Sequence, residues 1–314
     1  MRGIWLLSLT LVMLPFVINK GQAAEAAAGR YIPGAFATPG AGIVPPAPGA
    51  YWAWSNVYYH GKAEGSVPFG KNSVALGLKG DIYASILAGV FVPKIELPGN
   101  WTYAFEAAVP FGYTRAEALV GPADIIQDTA GIGDIAITPL LFGWHNKASD
   151  FWLSTGLTIT APTGKYSAGD LAFIGLNYWT FTPSVAVTKL LPNHGLDLSA
   201  KFGIDINTRN PDTDNYSGAT AHLDLAVTKT VAKNWQIGAI SGILYQFEKD
   251  DSAFANARDD GFKGRSFAIG PLVKYKAKFS ETNEIDLSLS WAHEVAVENR
   301  MKGDAVFFNV SGKF

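Results

Sequence analysis

The sequence predicts an all-β chain that closes into a transmembrane antiparallel up-and-down β-barrel of about twelve strands, of the outer-membrane type. Three observations lead there. From Tyr51 onward, apolar and polar residues alternate with period two over segments long enough to cross a bilayer as tilted strands. Beyond the N-terminus, no uncharged apolar run approaches the roughly 20 residues a spanning helix needs, so any crossing falls to strands. The 314 residues include 33 glycines and 13% aromatics but only 17% charged residues, against about 25% in ordinary soluble domains.

The same composition removes several function classes. With no cysteine, a disulfide scaffold, a thiolate metal site and a cysteine nucleophile are excluded. A 48% hydrophobic content and a net charge of -2 exclude disorder and argue against a nucleic-acid partner, which needs a basic excess.

The first element is a targeting signal. Arg2 supplies a positive start, Ile4 to Ile18 is an apolar run broken by Ser8, Thr10 and Pro15, and Gly21, Ala23, Ala24 and Ala26 to Ala28 offer small-residue cleavage positions. Residues 1–28 therefore read as a cleaved signal peptide. Residues 29–50 form a Gly/Pro-rich arm, in which Pro33, Pro39, Pro45, Pro46 and Pro48 fix φ and remove donors. This arm is either a linker or a plug in a barrel lumen. The barrel itself takes residues 51–314.

Its strands are expected at Tyr51 to His60, Ser73 to Leu97, Asn100 to Arg115, Gly131 to His145, Asp150 to Pro162 and Ile174 to Leu191. The second half continues with Gly195 to Asn207, Ser217 to Val231, Asn234 to Glu248, Gly264 to Ser280, Asn283 to Glu298 and Lys302 to Phe314. The cleanest alternation sets Leu287, Leu289, Trp291 and Val295 against Asp286, Ser288, Ser290 and Glu294. Tight links such as Leu97 to Asn100, His145 to Ala148, Leu191 to His194 and Ala232 to Asn234 have turn chemistry. They alternate with long loops at Gly61 to Asn72, Ala116 to Ala130, Thr163 to Phe173, Thr208 to Tyr216 and Lys249 to Lys263. Short turns belong to the periplasmic side and long loops to the outside, which puts both termini in the periplasm.

The predicted register turns Lys79, Asp81, Glu106, Asp134, Asp197, Lys201, Asp205, His222, Asp224, Lys274, Lys276, Glu284, Asp286 and Glu294 into the lumen. Both signs occur, so the lumen is no single-sign funnel, and twelve strands imply a narrow passage. Trp101, Tyr103, Tyr113, Trp144, Trp152, Trp235, Tyr245, Phe247, Tyr275 and Phe279 lie near strand ends, where interfacial girdles sit. The terminal Phe314, with Val310 and Phe308 at alternate positions before it, resembles the final strand read by the outer-membrane assembly machinery.

Three motifs carry a family resemblance: Pro45 to Tyr51 leading into Val57-Tyr58-Tyr59, Gly131-Ile-Gly133-Asp134 leading to Pro139, and Ala161 to Tyr166 followed by Ile174 to Pro183. In that order they resemble the outer-membrane family associated with the meta-pathway of phenol degradation. The resemblance covers Pro45 to Phe314 and implies a transporter-like barrel that passes hydrophobic compounds, with no catalytic residues and no cofactor.

Enzymatic alternatives find little support in the residues. Gly131 to Ala136 fits the letters G-x-G-x-x-A, but with no strand leading in and no helix after it. His60, His145, His194, His222 and His293 lack metal-ligand spacing, and no G-x-S-x-G serine context occurs. Acidic pairs at Asp124 and Asp128, Asp212 and Asp214, Asp250 and Asp251, and Asp259 and Asp260 form a solvated outer face or bind divalent cations that bridge lipopolysaccharide phosphates. The expected partners are thus membrane lipid, lipopolysaccharide, the assembly machinery and a small hydrophobic or aromatic solute. The expected function is passive passage of that solute; a structural or surface-interaction barrel with a plugged lumen is the alternative.

Overall fold

Alternating sequence becomes wall in twelve staves. The computed structural model describes residues 29–63, 66–69, 73–120, 122–252, 255–257, 261–279 and 284–314; the expected signal peptide lies outside them. The strands are β1 (Gly49–Lys62), β2 (Ser66–Phe69), β3 (Ser73–Val92), β4 (Trp101–Val120), β5 (Ala123–Ile132), β6 (Ala136–His145) and β7 (Phe151–Thr160). They continue as β8 (Thr180–Leu191), β9 (Leu196–Asn207), β10 (Thr220–Ala232), β11 (Trp235–Gln246), β12 (Arg265–Lys278), β13 (Glu284–Glu298) and β14 (Lys302–Lys313). All pairings are antiparallel, and β1 closes the ring by pairing β14 on one edge and β3 on the other.

Fourteen strands make a twelve-stave barrel for two reasons. The short β2 pairs only the upper end of β3. β5 and β6 share one side of β4, β5 against Phe111–Val120 and β6 against Trp101–Ala108, so they are two halves of a single stave parted at residues 133–135. The expected long loop from Ala116 to Ala130 is corrected: β4 runs on to Val120 and turns directly into β5, with Val120 opposite Ala123. Its acidic residues disguised a strand, because Asp124, Ile126 and Asp128 all lie on the exposed face while Thr129 is buried.

Along most staves the larger share of the big apolar side chains points outward. Leu198, Phe202 and Ile206 of β9, Val227 of β10, Ile237 of β11 and Leu289, Trp291 and Val295 of β13 are exposed. Their alternates Asp224, Ala226, Thr228, Ile240, Ser290 and Ala292 are buried. A continuous outward apolar surface on a protein of this size is what a hydrocarbon solvent selects. No helix of the described residues is long and apolar enough to cross a membrane.

Short connections share one end of the barrel with the beginning of β1 and the C-terminus, where the Phe314 amide donates to the Ala50 carbonyl (3.1 Å). Residue 29 departs from the expected placement of both termini at that end. It lies against Arg300 in the β13–β14 turn, at the opposite, long-loop end.

Candidate functional site in the barrel lumen

The arm threads the lumen from the long-loop end to the base. Arg30 Nη1 donates to Asp134 Oδ2 (2.9 Å) and Arg30 Nη2 to the Tyr178 carbonyl (2.9 Å). One turn lower, Asp224 on β10 collects the Tyr31 hydroxyl (2.7 Å), the Gly34 amide (3.1 Å) and the Phe36 amide (3.4 Å) on a single carboxylate oxygen. Further down, the Gly40 amide donates to Ser199 Oγ and the Gly42 amide to Thr188 Oγ1, both at 2.9 Å. The arm's amides thus divide between its own turns, where Ala35, Ala37 and Ile43 donate to the Ile32, Gly34 and Gly40 carbonyls, and inward-facing side chains of the wall.

Glycine makes the fit possible at two places. A Cβ on Gly242 would stand 2.0 Å from the Gly34 nitrogen, and a Cβ on Gly42 would stand 2.6 Å from the Thr188 nitrogen. Wall and arm therefore touch backbone to backbone. His222 seals this anchor. Its ring stacks on Tyr31 (4.5 Å between centroids) and lies 5.6 Å from Phe36, with Nδ1 3.6 Å from Asp224 and Nε2 3.8 Å from Asp205. Lys201 Nζ sits 4.1 Å over the Phe36 ring, a cation–π contact.

Beside that anchor, between the arm and a wall that runs from β13 and β14 through β1 and β3 to β10, lies a cavity of about 590 Å³, which Tyr31, Phe36 and His222 of the anchor also line. Ile82, Ile86, Pro110, Phe173, Ile174 and Phe307 give it a mainly apolar lining. Threonines on β4, β6, β7 and β8 and Glu106 interrupt it. A cavity of this size and lining suits a small apolar molecule.

The cavity adjoins the break in the wall. Above Ile132, β5 has a ladder partner only in β4 among the described residues, while β7 pairs β6 below the break. The chain after β7 fills the gap: Ala161 and Lys165 amides donate to the Ile135 and Ile132 carbonyls. Asp134 fastens the junction by accepting the Gly164 amide (2.8 Å), the Leu176 amide (2.9 Å) and Arg30. Gly164 and Gly175 are needed here because a Cβ on either would come within 2.7 Å of the other's backbone. The two Gly-containing motifs noted in the sequence thus meet at one carboxylate.

The expected lumen residues separate into groups. Lys201, Asp205, His222 and Asp224 surround the arm, Asp134 holds the wall break, and Glu106 faces the cavity. Asp197 accepts from Ser199 (2.6 Å), and Glu294 accepts the Tyr59 hydroxyl and the Gly303 amide, both at 2.8 Å. Lys274, Lys276, Glu284 and Asp286 neutralise one another across β12 and β13 at the short-turn end, at 3.1–3.5 Å. Lys79 and Asp81 are corrected: they lie on the outer face with Tyr83, Leu87 and Phe91. The inward set of β3 is instead Ile82, Ala84, Ile86 and Ala88. Charges at a strand's upper end are tolerated outside because they stand above the hydrocarbon.

Trp152 points inward and is buried, its ring 4.6 Å from His145, so it leaves the girdle set. Trp101, Tyr113, Trp235, Tyr245 and Phe279 are exposed. A strand, β5, does lead into Gly131-Ile-Gly133, but another strand rather than a helix follows. Asp251 and Asp214 pair with Arg209, and Asp250 accepts the Gly218 amide (2.8 Å). Among the described residues no group of three or more histidine or acidic side chains is placed to hold a metal ion; Asp259 and Asp260 lie outside them. Phe308 and Val310 share one side of β14, with Phe308 edge-on to Trp54 (6.3 Å), and Phe314, just past the strand's end, lies 6.4 Å from Trp52. What sequence reasoning missed is the apolar cavity, whose signal was β3: apolar on both faces, it reads as a strand covered on both.

Comparison with solved structures places the architecture. The chain superposes on an outer membrane channel from Pseudomonas putida F1 with a TM-score of 0.65, covering 91% of this chain and 100% of that one at 18% identity. The transport unit of the autotransporter AIDA-I from Escherichia coli matches with a TM-score of 0.50 over 85% of this chain and 90% of that one at 6% identity. At these identities the likeness is one of fold, the barrel of bacterial outer-membrane proteins. No curated protein matches the sequence. The sequence pattern described as "Putative MetA-pathway of phenol degradation" matches residues 65–310, and the chain belongs to that family.

Proposed function

We propose that this protein is an outer-membrane channel through which small hydrophobic or aromatic compounds pass without energy input, and that the arm of residues 29–50 is its lumen plug. The observation that carries the reading is the mainly apolar cavity of about 590 Å³ held between the arm and the barrel wall. A hydrophilic porin would line this space with free charge; here Arg30 pairs with Asp134, Lys201 lies over the Phe36 ring and Glu294 accepts from Tyr59 and Gly303, which leaves Glu106 as the carboxylate facing an otherwise mainly apolar space. The interrupted ladder beside the cavity favours release of an apolar solute sideways into the bilayer over release into water. The family and the barrel likeness support an outer-membrane location, reached through a cleaved signal peptide and insertion directed by the strand ending in Phe314. The short-turn end then faces the periplasm.

The test is flux through purified, refolded protein in liposomes, comparing a phenol-sized aromatic with a sugar of similar mass and subtracting leakage through empty liposomes. Protein-dependent aromatic flux above sugar flux is expected, with a gain on deleting residues 29–48. No flux of either solute in either protein overturns the channel reading and leaves a structural barrel with a plugged lumen.

A further inference from the structure

On the outer surface of β3, β1 and β14, cross-strand register builds a layered patch. Tyr83, Tyr58 and Val306 stand side by side, with Tyr113 and Trp291 continuing the row on β4 and β13. The next outward-facing row is Asp81, His60, Asp304 and His293, in direct register across four strands. It is internally hydrogen-bonded: His60 Nδ1 meets Asp81 (2.8 Å), His293 Nδ1 meets Asp304 (2.9 Å), and Tyr58 and Trp291 donate to the same two carboxylates, with Arg115 of β4 in register with Asp81.

The row above that is three lysines. Lys62 lies opposite Lys79 on one side and Lys302 on the other, and all three are exposed. Among the described residues no carboxylate pairs with any of them; Lys302 reaches only the Val295 carbonyl (3.4 Å), and Glu117, opposite Lys79, is held by Arg115 (3.0 Å). Like charges directly opposite one another on a sheet repel. Three adjacent ammonium groups held in register therefore call for an anion from outside the chain. The aromatic row marks where the hydrocarbon ends, and the lysines are four residues further along the strand, roughly 13 Å at 3.3 Å per residue before tilt. A strand tilt of about 40° lowers this to about 10 Å, and since the headgroup layer extends about 5–8 Å past the hydrocarbon, a lysine side chain bending back along the wall meets lipid phosphates.

We propose that Lys62, Lys79 and Lys302 form a binding site for the phosphate groups of outer-leaflet lipopolysaccharide. Lysine serves phosphate as a mobile point charge, and the Asp/His row beneath sets the lower edge of the site by keeping a second anion from sliding toward the hydrocarbon. The proposal rests on the reading that the long-loop end faces the cell exterior, but not on any solute passing through the lumen.

The full-length protein in detergent is titrated with lipid A and bound lipid is counted by native mass spectrometry. The same titration is run on the Lys62→Gln/Lys79→Gln/Lys302→Gln variant, whose folding is checked by heat-modifiable gel mobility. At roughly fivefold per lysine, the triple variant is expected to bind lipid A about 100-fold more weakly, and wild-type binding should fall with salt. Dephosphorylated lipid A is expected to bind wild type no better than the variant. Equal binding of lipid A by both proteins, or equal binding of phosphorylated and dephosphorylated lipid A, overturns the site. Inorganic phosphate bound in place of lipid A overturns the lipid assignment. The orientation is checked separately by labelling Asp212→Cys on intact cells with an impermeant maleimide, so that its failure is told apart from failure of the site.

Discussion

Replacing Gly242 by alanine tests the docking of the arm at a single atom. The added Cβ would lie 2.0 Å from the Gly34 nitrogen and 2.5 Å from the Pro33 carbonyl carbon, and its three nearest neighbours all belong to the arm. Restoring an ordinary contact of about 3.5 Å requires the arm to retreat by about 1.5 Å. The three bonds that Asp224 accepts from Tyr31, Gly34 and Phe36 span 2.7–3.4 Å, and such a retreat breaks the weakest and stretches the other two past bonding range. Bonds to a charged acceptor contribute roughly 1.5–3 kcal/mol each, and three on one oxygen are not additive, so the docked arm loses on the order of 4 kcal/mol. That is about a thousandfold shift toward an undocked arm. The wall itself is spared, because β11 keeps its pairing with β10 and β12. The expected result is faster proteolysis of residues 29–48 and a rise in aromatic flux. Adding the Gly242→Ala change to a protein already lacking residues 29–48 should alter nothing. Unchanged protease sensitivity in the single variant, or a further flux change in the arm-deleted one, would refute the argument.

Two more perturbations probe the other junctions. Asp134→Ala removes the acceptor of two backbone amides and of Arg30; about 3 kcal/mol of stability should be lost, read as a lower temperature for loss of the folded band on unboiled gels, with Asp134→Asn losing less. An unshifted midpoint would remove the carboxylate from the account of the wall break. At the long-loop end, the hydrogen bond from Arg209 holds the Asp251 carboxyl below its ordinary range, with help from Asn256. A depressed native value means the clasp between loops 208–219 and 247–264 is fully present above the unfolded value of about 3.9 and is lost as pH falls through the lower native one. Tryptic cleavage after Lys249 and Lys263 should therefore be slow between pH 5 and 8 in the wild type and fast in Arg209→Ala. Equal cleavage of the two proteins would show that the clasp does not order these loops.

The barrel was legible because its physics is local. In β9 and β13 each residue's face follows from its parity, and lipid outside with polar groups inside makes the two parities chemically different. The same rule misled at β3. There the cavity is apolar, so the inward Ile82, Ala84 and Ile86 look like lipid-facing residues, while Lys79 and Asp81 stand above the hydrocarbon and look like lumen residues. Parity could not be assigned where both sides of the wall meet apolar surroundings. Asp134 was visible as a polar inward residue, but its role depends on Gly164 and Leu176, 30 and 42 residues away, and on Arg30, 104 residues away. Such convergence is written in no single window of sequence. The arm left a compositional trace in its prolines, yet composition alone does not choose between a linker and a plug; the choice lies in Gly242 and Asp224, on strands far along the chain.

The arm's two carboxylate anchors differ in what they are attached to, and that difference assigns them different work. Asp224 sits in the middle of β10, a strand paired on both edges along most of its length, and its neighbours His222 and Tyr31 are packed ring on ring. It can hold the arm but has nothing else to move. Asp134 sits in the one stave that is interrupted, and the groups it binds belong to the arm, to the strand break and to the 161–179 segment at once. Pulling Arg30 away therefore leaves a nearly buried carboxylate with one partner fewer, a cost that the segment closing the wall must bear. Displacement of the arm and loosening of the wall beside the apolar cavity are thereby coupled through one side chain, in both directions, as linkage requires. If the protein is the channel proposed above, a solute that displaced the arm would by this linkage loosen the wall beside the cavity.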